Sequence, residues 1–197
     1  MHVWTPSQWR DHLRQVAVPR LDATALPILG AMATPFARVV AGESGPALDT
    51  PLPDDVTGEV ALWWARTDRP VDVDALVTRA ADGPILPRDA FRAIEVWTDA
   101  ELSALHALWW LAETTGHPTW RRRVEDVRQW HQQHTQPDNA TNRPWAVHVF
   151  ALDPDPESQH YAATLLHNCM ALNGVPDPLS AWILLDAARA MERAIGD

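Results

Sequence analysis

Apolar side chains recur at helical spacing along most of the chain. Trp9, Leu13 and Val16 follow the i, i+4, i+7 pattern, and similar spacing runs through residues 120–134. This period places apolar side chains on one face of an α-helix, and no segment shows the strict alternation of a half-buried strand. The pattern predicts helices at 5–18, 56–66, 71–81, 98–115, 119–134, 143–152, 156–172 and 178–195, with one short helix at 28–40.

Capping residues mark several of these helix starts. The predicted N-caps are Thr5, Thr98, Asp155 and Asp177. Gln8 and Glu101 each stand three residues after one of the threonines, which is the spacing of a capping box. Trp4 and Trp9 occupy the two positions of a hydrophobic staple around the first start.

The helices predict one all-α domain over residues 1–197, built from antiparallel helical hairpins. An ALWW segment at 61–64 recurs at 107–110, and each is followed by a Pro-containing turn and a second helix. Leu165-Leu166 begins a third, looser copy. Such spacing is typical of helical-hairpin repeats, here over 56–195. Residues 19–55 are rich in Pro and Gly and are expected to be loosely structured.

The stretch LAETTGHPTWRRRVEDVRQWHQQH, within residues 98–195, resembles the helical hairpins of α/α-toroid proteins such as sugar epimerases, polysaccharide lyases and terpene cyclases. The resemblance implies an open arc of hairpins, because a closed toroid of six hairpins needs a longer chain. The Asp-x-Asp-Asp motif of terpene cyclases is not matched, since Asp72-Val73-Asp74 is followed by Ala75. No catalytic residue is therefore carried over.

Composition narrows the range of partners. The net charge is −10, so nucleic acid is not an expected partner. The chain has no Lys, which excludes mechanisms that need a side-chain amine. Eleven Trp against three Phe and one Tyr predict thick core packing or an aromatic surface for a partner. Cys169 is the only cysteine, so no internal disulfide is expected. Without a signal-like start or a long apolar run, we expect a cytoplasmic protein that does not enter membranes.

Motifs for common cofactors are missing. The eight Gly form neither a dinucleotide fingerprint nor a phosphate-binding loop, and no Cys pair or HExxH motif suggests zinc. No cofactor is expected.

The polar segment HTQPDNATNRPWAVHVF, residues 134–150, admits three interpretations. In the first it is a joint, in which Asp138, Asn139 and Asn142 satisfy backbone groups, Pro144 starts the next helix, and Arg143 reaches a carboxylate or a helix end.

In the second interpretation the segment lines a pocket for a polar or sugar-like ligand. The candidate catalytic residues are His148, His167 and Asp138, and the candidate ligand-binding residues are Arg143, Trp145, Asn142 and Asn168. Imidazole titrates near neutrality and so suits general acid–base work. In the third interpretation His131 and His134, i and i+3 on a helix, share a metal ion; this metal site is not favoured, because the spacing is common at helix ends.

These observations predict a binding or interaction module, for a small ligand or for a protein partner through a Trp-rich face. Unclosed hairpins leave apolar edges, so a homodimer is also expected. An enzyme acting on a polar or sugar-like substrate is the alternative.

Overall fold

The protein is all-helical in the part of the chain that the computed structural model describes, which is residues 3–23, 25–26, 33–41, 58–67, 69–77, 83–135 and 141–196. No strand occurs in these residues, and the predicted all-α class is confirmed. The helices are α1 (Pro6–Ala17), α2 (Ala33–Ala41), α3 (Gly58–Ala65), α4 (Val73–Val77), α5 (Ile94–Thr115), α6 (Pro118–His134), α7 (Val147–Ala151), α8 (Pro156–Met170) and α9 (Pro178–Gly196). The 3-10 turns include Val18–Arg20 and Arg88–Ala90.

Three of the four predicted helix starts form as the sequence indicates. The side chain of Thr5 accepts a hydrogen bond from the backbone N–H of Gln8, and the Gln8 side chain accepts from the backbone N–H of Thr5. The side chains of Asp155 and Asp177 cap α8 and α9 in the same manner. These starts depend on residues three positions apart, so local sequence is enough to specify them.

The fourth predicted start is wrong, because α5 begins at Ile94 rather than at Thr98. The Thr98 hydroxyl lies inside the helix and donates to the carbonyl of Ile94 at 2.9 Å. The Glu101 carboxylate, 0 % exposed, instead accepts the backbone N–H groups of Ile85 and Leu86 at 2.6 and 2.7 Å. A buried carboxylate with two strong donors from a distant loop outweighs a local cap.

Helix α7 is shorter than the predicted 143–152. Ala146 adopts a left-handed conformation with φ of 56°, so the helix begins only at Val147. The backbone N–H of Ala146 donates to the His106 ring at 3.2 Å, a buried tertiary contact that accompanies this conformation. The predicted residues 78–81, most of 19–55 and residues 136–140 lie outside the described residues.

The core surrounds α5, whose central turns are buried on all sides from Ala100 to Trp109. Helices α3 and α6 both pack against α5, so the two helices that carry the ALWW sequence contact each other. Helix α1 packs along α9, and α7 packs against α8. Gly116, with φ of 69°, ends α5 in the left-handed conformation and allows the two-residue connection to α6.

The Trp side chains belong mainly to this core. Six of the eleven are buried, and the other five are half-buried. The buried six are Trp9, Trp63, Trp64, Trp97, Trp109 and Trp145. Among the described residues, no helix combines the length and the apolar composition that a bilayer crossing requires.

Candidate functional site

A groove of about 320 Å³ lies between the N-terminal segment with α1 and helix α8. Its lining comprises Trp4, Trp9, His12, Gln159, His160, Ala163, Leu166, His167 and Met170. The α8 residues recur every three or four positions, which puts them on one face of the helix. His160 and His167 are exposed and His12 is half-buried, so imidazoles from both walls are accessible from solvent.

The aromatic wall of the groove is held by Gln159. Its side-chain oxygen accepts the backbone N–H of Trp4 at 2.7 Å, and its amide nitrogen donates to the carbonyls of Trp4 and Ala151 at 2.8 and 3.2 Å. The Trp4 ring then packs on Trp9 and on His12, with centroid distances of 5.1 Å in both cases. Gln159 thus fixes Trp4 through both of its backbone polar groups, so this wall of the groove is held in place by hydrogen bonds.

The chemistry of the lining is apolar with hydrogen-bonding edges. Burial lowers the pKa of His12, so this imidazole is neutral near pH 7 and offers one donor and one acceptor. No group of three His, Cys, Asp or Glu side chains in the described residues could hold a metal ion. The lining suits an organic ligand with a flat apolar part.

Apart from the groove, a polar cluster is buried in the core and centres on Asp186. Its carboxylate lies 3.0 Å from Nη1 of Arg66 and 3.0 Å from Nε2 of His106. Burial alone would raise the pKa of Asp186, but Arg66 and His106 outweigh burial and hold the pKa below its ordinary range. The Arg66 guanidinium also lies over the rings of Trp63 and Trp110, at 4.7 and 4.9 Å. The charges are thus balanced inside the core.

His106 is locked in one neutral form. Its Nδ1 accepts the backbone N–H of Ala146, so the ring proton must be on Nε2, which donates to Asp186. Burial lowers the pKa of His106, although the contact with Asp186 opposes this effect. Both ring nitrogens are used, so this His–Asp pair has no free site for a general base and is structural.

His148, predicted as catalytic, is 0 % exposed and lies beside this cluster. Its ring centroid is 4.3 Å from that of His106 and 4.7 Å from that of Trp109. Neither ring nitrogen has a hydrogen-bond partner among the described residues. Burial, followed by the nearby His106, lowers the pKa of His148 well below its ordinary value. His148 and His167 therefore occupy different surroundings, one in the core and one at the groove.

Two of the remaining predicted pocket residues, Arg143 and Asn168, meet at Thr141, whose hydroxyl accepts the backbone N–H of Arg143 and whose carbonyl accepts the Asn168 amide. Arg143 pairs with Asp99 at 3.1 Å, as the joint interpretation expects. Trp145 is fully buried in the core, Asn142 is exposed, and Asn168 donates to a backbone carbonyl at 3.5 Å. Asp138 lies outside the described residues.

The two histidines of the metal interpretation lie in unlike environments. His131 is buried, and its Nδ1 is 3.0 Å from the hydroxyl of Thr135. His134 is exposed and stacks on Trp130 at 4.8 Å.

Sequence reasoning missed two features. One is the groove, because Trp4, Trp9 and the helical spacing of His160 and His167 were visible but the proximity of α1 to α8 was not. The other is Glu59 on α3, whose pKa is raised to about 8 by burial and by the charge of Asp99. Burial raises the pKa of Asp99 itself, although Arg143 opposes the shift.

Comparisons with protein-family models, with curated proteins and with solved structures give no match to this chain. The toroid resemblance stays a prediction from sequence. Function is inferred from the groove, from the buried cluster around Asp186 and from the carboxyl groups of Glu59 and Asp99.

Proposed function

We propose that the protein binds a small, largely apolar ligand in the groove between α1 and α8. The observation that carries the proposal is the lining, in which indole rings of Trp4 and Trp9 and three imidazoles surround about 320 Å³. This volume lies at the lower end of the range for ligand pockets, and apolar walls with few polar groups are typical of such pockets. The half-buried indole of Trp4 offers a flat surface on which an aromatic or alicyclic ring can pack.

The buried cluster supports binding over catalysis at His148, which the sequence predicts as catalytic, and at its neighbour His106. His106 uses both ring nitrogens, and His148 has no contact with solvent. A general acid or base must reach the proton that it transfers, directly or through one water molecule. In this conformation neither imidazole can do so.

The test is titration with N-phenyl-1-naphthylamine, a neutral apolar dye whose fluorescence rises in an apolar site. Ala163 is exposed and lines the groove, so Ala163→Trp fills the groove without removing a core contact. We expect one saturable site on the wild type and about tenfold weaker binding in Ala163→Trp. Ala194→Trp, an exposed position near the end of α9, is the matched control and should bind the dye like the wild type.

Two results would refute the proposal. One is the absence of saturable dye binding to a protein whose circular dichroism is helical. The other is equal binding by the wild type and Ala163→Trp.

An enzyme is the second candidate, and a separate observation favours it. Glu59, Asp99 and Arg143 form a half-buried acidic group in which the pKa of Glu59 is raised to about 8. Carboxyls with raised pKa values are frequent at active sites, where a protonated acid can serve a polar or sugar-like substrate. Loss of turnover in Glu59→Gln, with turnover retained in the exposed control Glu157→Gln, would support this candidate once a substrate is found.

The remaining expectations concern assembly, architecture and location. A protein partner or a second copy at a Trp-rich face would use the half-buried indoles, and a sedimentation mass above 22.0 kDa would support it. The open arc of antiparallel hairpins is supported by the short α5–α6 connection at Gly116. A cytoplasmic location is part of the same proposal.

A further inference from the structure

Among the described residues, the titratable side chains that line the groove are all imidazoles. They are His12 on α1 and His160 and His167 on α8. The chain has 26 Asp and Glu residues and a net charge of −10, yet none of the described residues that line the groove is a carboxylate. The described lining is thus free of negative side chains on an acidic protein.

We infer that the ligand of this groove carries a carboxylate beside its apolar part, an inference that rests on the proposed function. The ring nitrogens of the three histidines make no hydrogen bond within the described part of the chain, so their N–H groups are available to an acceptor. The Gln159 amide, in contrast, is occupied by Trp4 and Ala151. The imidazoles are therefore the groups that select the polar end of a ligand.

The position of the imidazoles fits a ligand with two unlike ends. His160 and His167 stand seven residues apart, two turns along one face of α8, and His12 faces them from α1. The Trp4 ring lies 5.1 Å from the His12 ring, so indole and imidazole surfaces are neighbours in the lining. A ring packed on the indoles would place an attached carboxylate beside the imidazoles.

A monoanion fits better than a phosphate group. Phosphate sites in proteins use Arg, Lys or the N–H groups of a helix N-terminus, and none of these occurs in the lining that the described residues form. Imidazole N–H groups donate single hydrogen bonds, which suits a carboxylate as a charge-assisted acceptor.

The carboxylates on elements next to the groove lie outside its lining, and several of them pair with arginines. Arg10 pairs with Asp11 at 2.7 Å and Arg14 with Glu192 of α9 at 2.5 Å. The other charged groups near the start of α8 are Glu157, Asp153, which pairs with Arg128, and Asp155, which caps the helix. None of these groups is part of the groove lining.

The experiment is displacement of N-phenyl-1-naphthylamine by indole-3-acetate and by its neutral match, indole-3-acetamide. At pH 6 we expect the acid to bind about fivefold tighter than the amide, because a carboxylate is a stronger acceptor of imidazole N–H groups than an amide oxygen. In the double variant His160→Gln/His167→Gln the acid-to-amide ratio at pH 6 should fall to about one. His134→Gln, which removes an exposed imidazole outside the groove, should keep the wild-type ratio.

The ratio within each variant cancels any general change in affinity. Equal binding of acid and amide at pH 6, a ratio retained by the double variant, or failure of both compounds to displace a bound dye would overturn the carboxylate inference and leave the proposed groove standing. Failure of the dye itself to bind would refute the proposed function and the inference with it.

Discussion

The neutral, buried ring of His148 should make the folded protein sensitive to mild acid. His148 is 0 % exposed, and burial lowers its pKa well below the ordinary value of 6.5. A histidine whose pKa is lowered by folding binds fewer protons in the folded chain than in the unfolded chain. Its effect on stability is therefore absent above the unfolded pKa and becomes unfavourable as the pH falls below 6.5.

The size of the effect follows from proton binding by the unfolded chain. Between pH 7.5 and 5.5 an unfolded histidine gains most of a proton, and a buried neutral one gains none, which lowers the free energy of unfolding by about 1.4 kcal/mol. Glu59 has the opposite effect on stability at low pH. Its pKa is raised to about 8, so the folded chain binds a proton at this carboxyl group that the unfolded chain does not bind. The informative quantity is therefore the difference between the wild type and a variant without the His148 imidazole.

His148→Leu provides that difference, with urea unfolding followed by circular dichroism at both pH values. On lowering the pH from 7.5 to 5.5, we expect the variant to lose about 1.4 kcal/mol less of its free energy of unfolding than the wild type loses. His134→Leu removes an exposed imidazole and should leave the pH dependence as in the wild type. Identical pH dependence in His148→Leu and the wild type would show that the folded protein protonates His148, and the buried neutral assignment would then be wrong.

Three further predictions concern stability. Asp186→Ala leaves the buried Arg66 without its carboxylate and should lower the free energy of unfolding by about 3–5 kcal/mol in a urea titration. The double variant Arg66→Met/Asp186→Leu should lose clearly less, because it removes both charges. Equal losses would contradict this prediction. Glu101→Gln removes one of two charge-assisted acceptors and should lower the free energy of unfolding by about 1–3 kcal/mol. Hydrogen exchange at the two loop amides that Glu101 binds should become faster. Unchanged exchange there would contradict the role given to the Glu101 carboxylate. Gly116→Ala should lower the stability in thermal unfolding by about 1 kcal/mol, because φ at this position is 69°. The control Gly83→Ala, where a Cβ meets no atom within 4 Å, should lower it less. Equal losses would show that the left-handed conformation at Gly116 does not require glycine.

Helix content and most helix ends could be predicted because they depend on neighbours in sequence. Thr5 with Gln8, Asp155 and Asp177 each satisfy N–H groups two or three residues away, so a short window contains all the partners. Thr98 carries the same local signal and failed. Its Glu101 has stronger partners in the loop at 85–86, and no window of that length includes them.

The candidate site was less predictable, because it depends on which helices become neighbours. The helical spacing of His160 and His167 was readable, but their opposite wall comes from Trp4, Trp9 and His12 at the other end of the chain. His148 has the residue type of a catalyst, yet its burial beside His106 follows from the packing of α7 near α5.

The amino-acid sequence by itself determined the all-helical class, the capped starts of α1, α8 and α9, and the acidic surface, since propensity, capping and charge act over a few residues. Only the tertiary structure decided which polar side chains became enclosed and which line a groove. Desolvation and pairing depend on contacts between segments far apart in the chain, as between Arg66, His106 and Asp186.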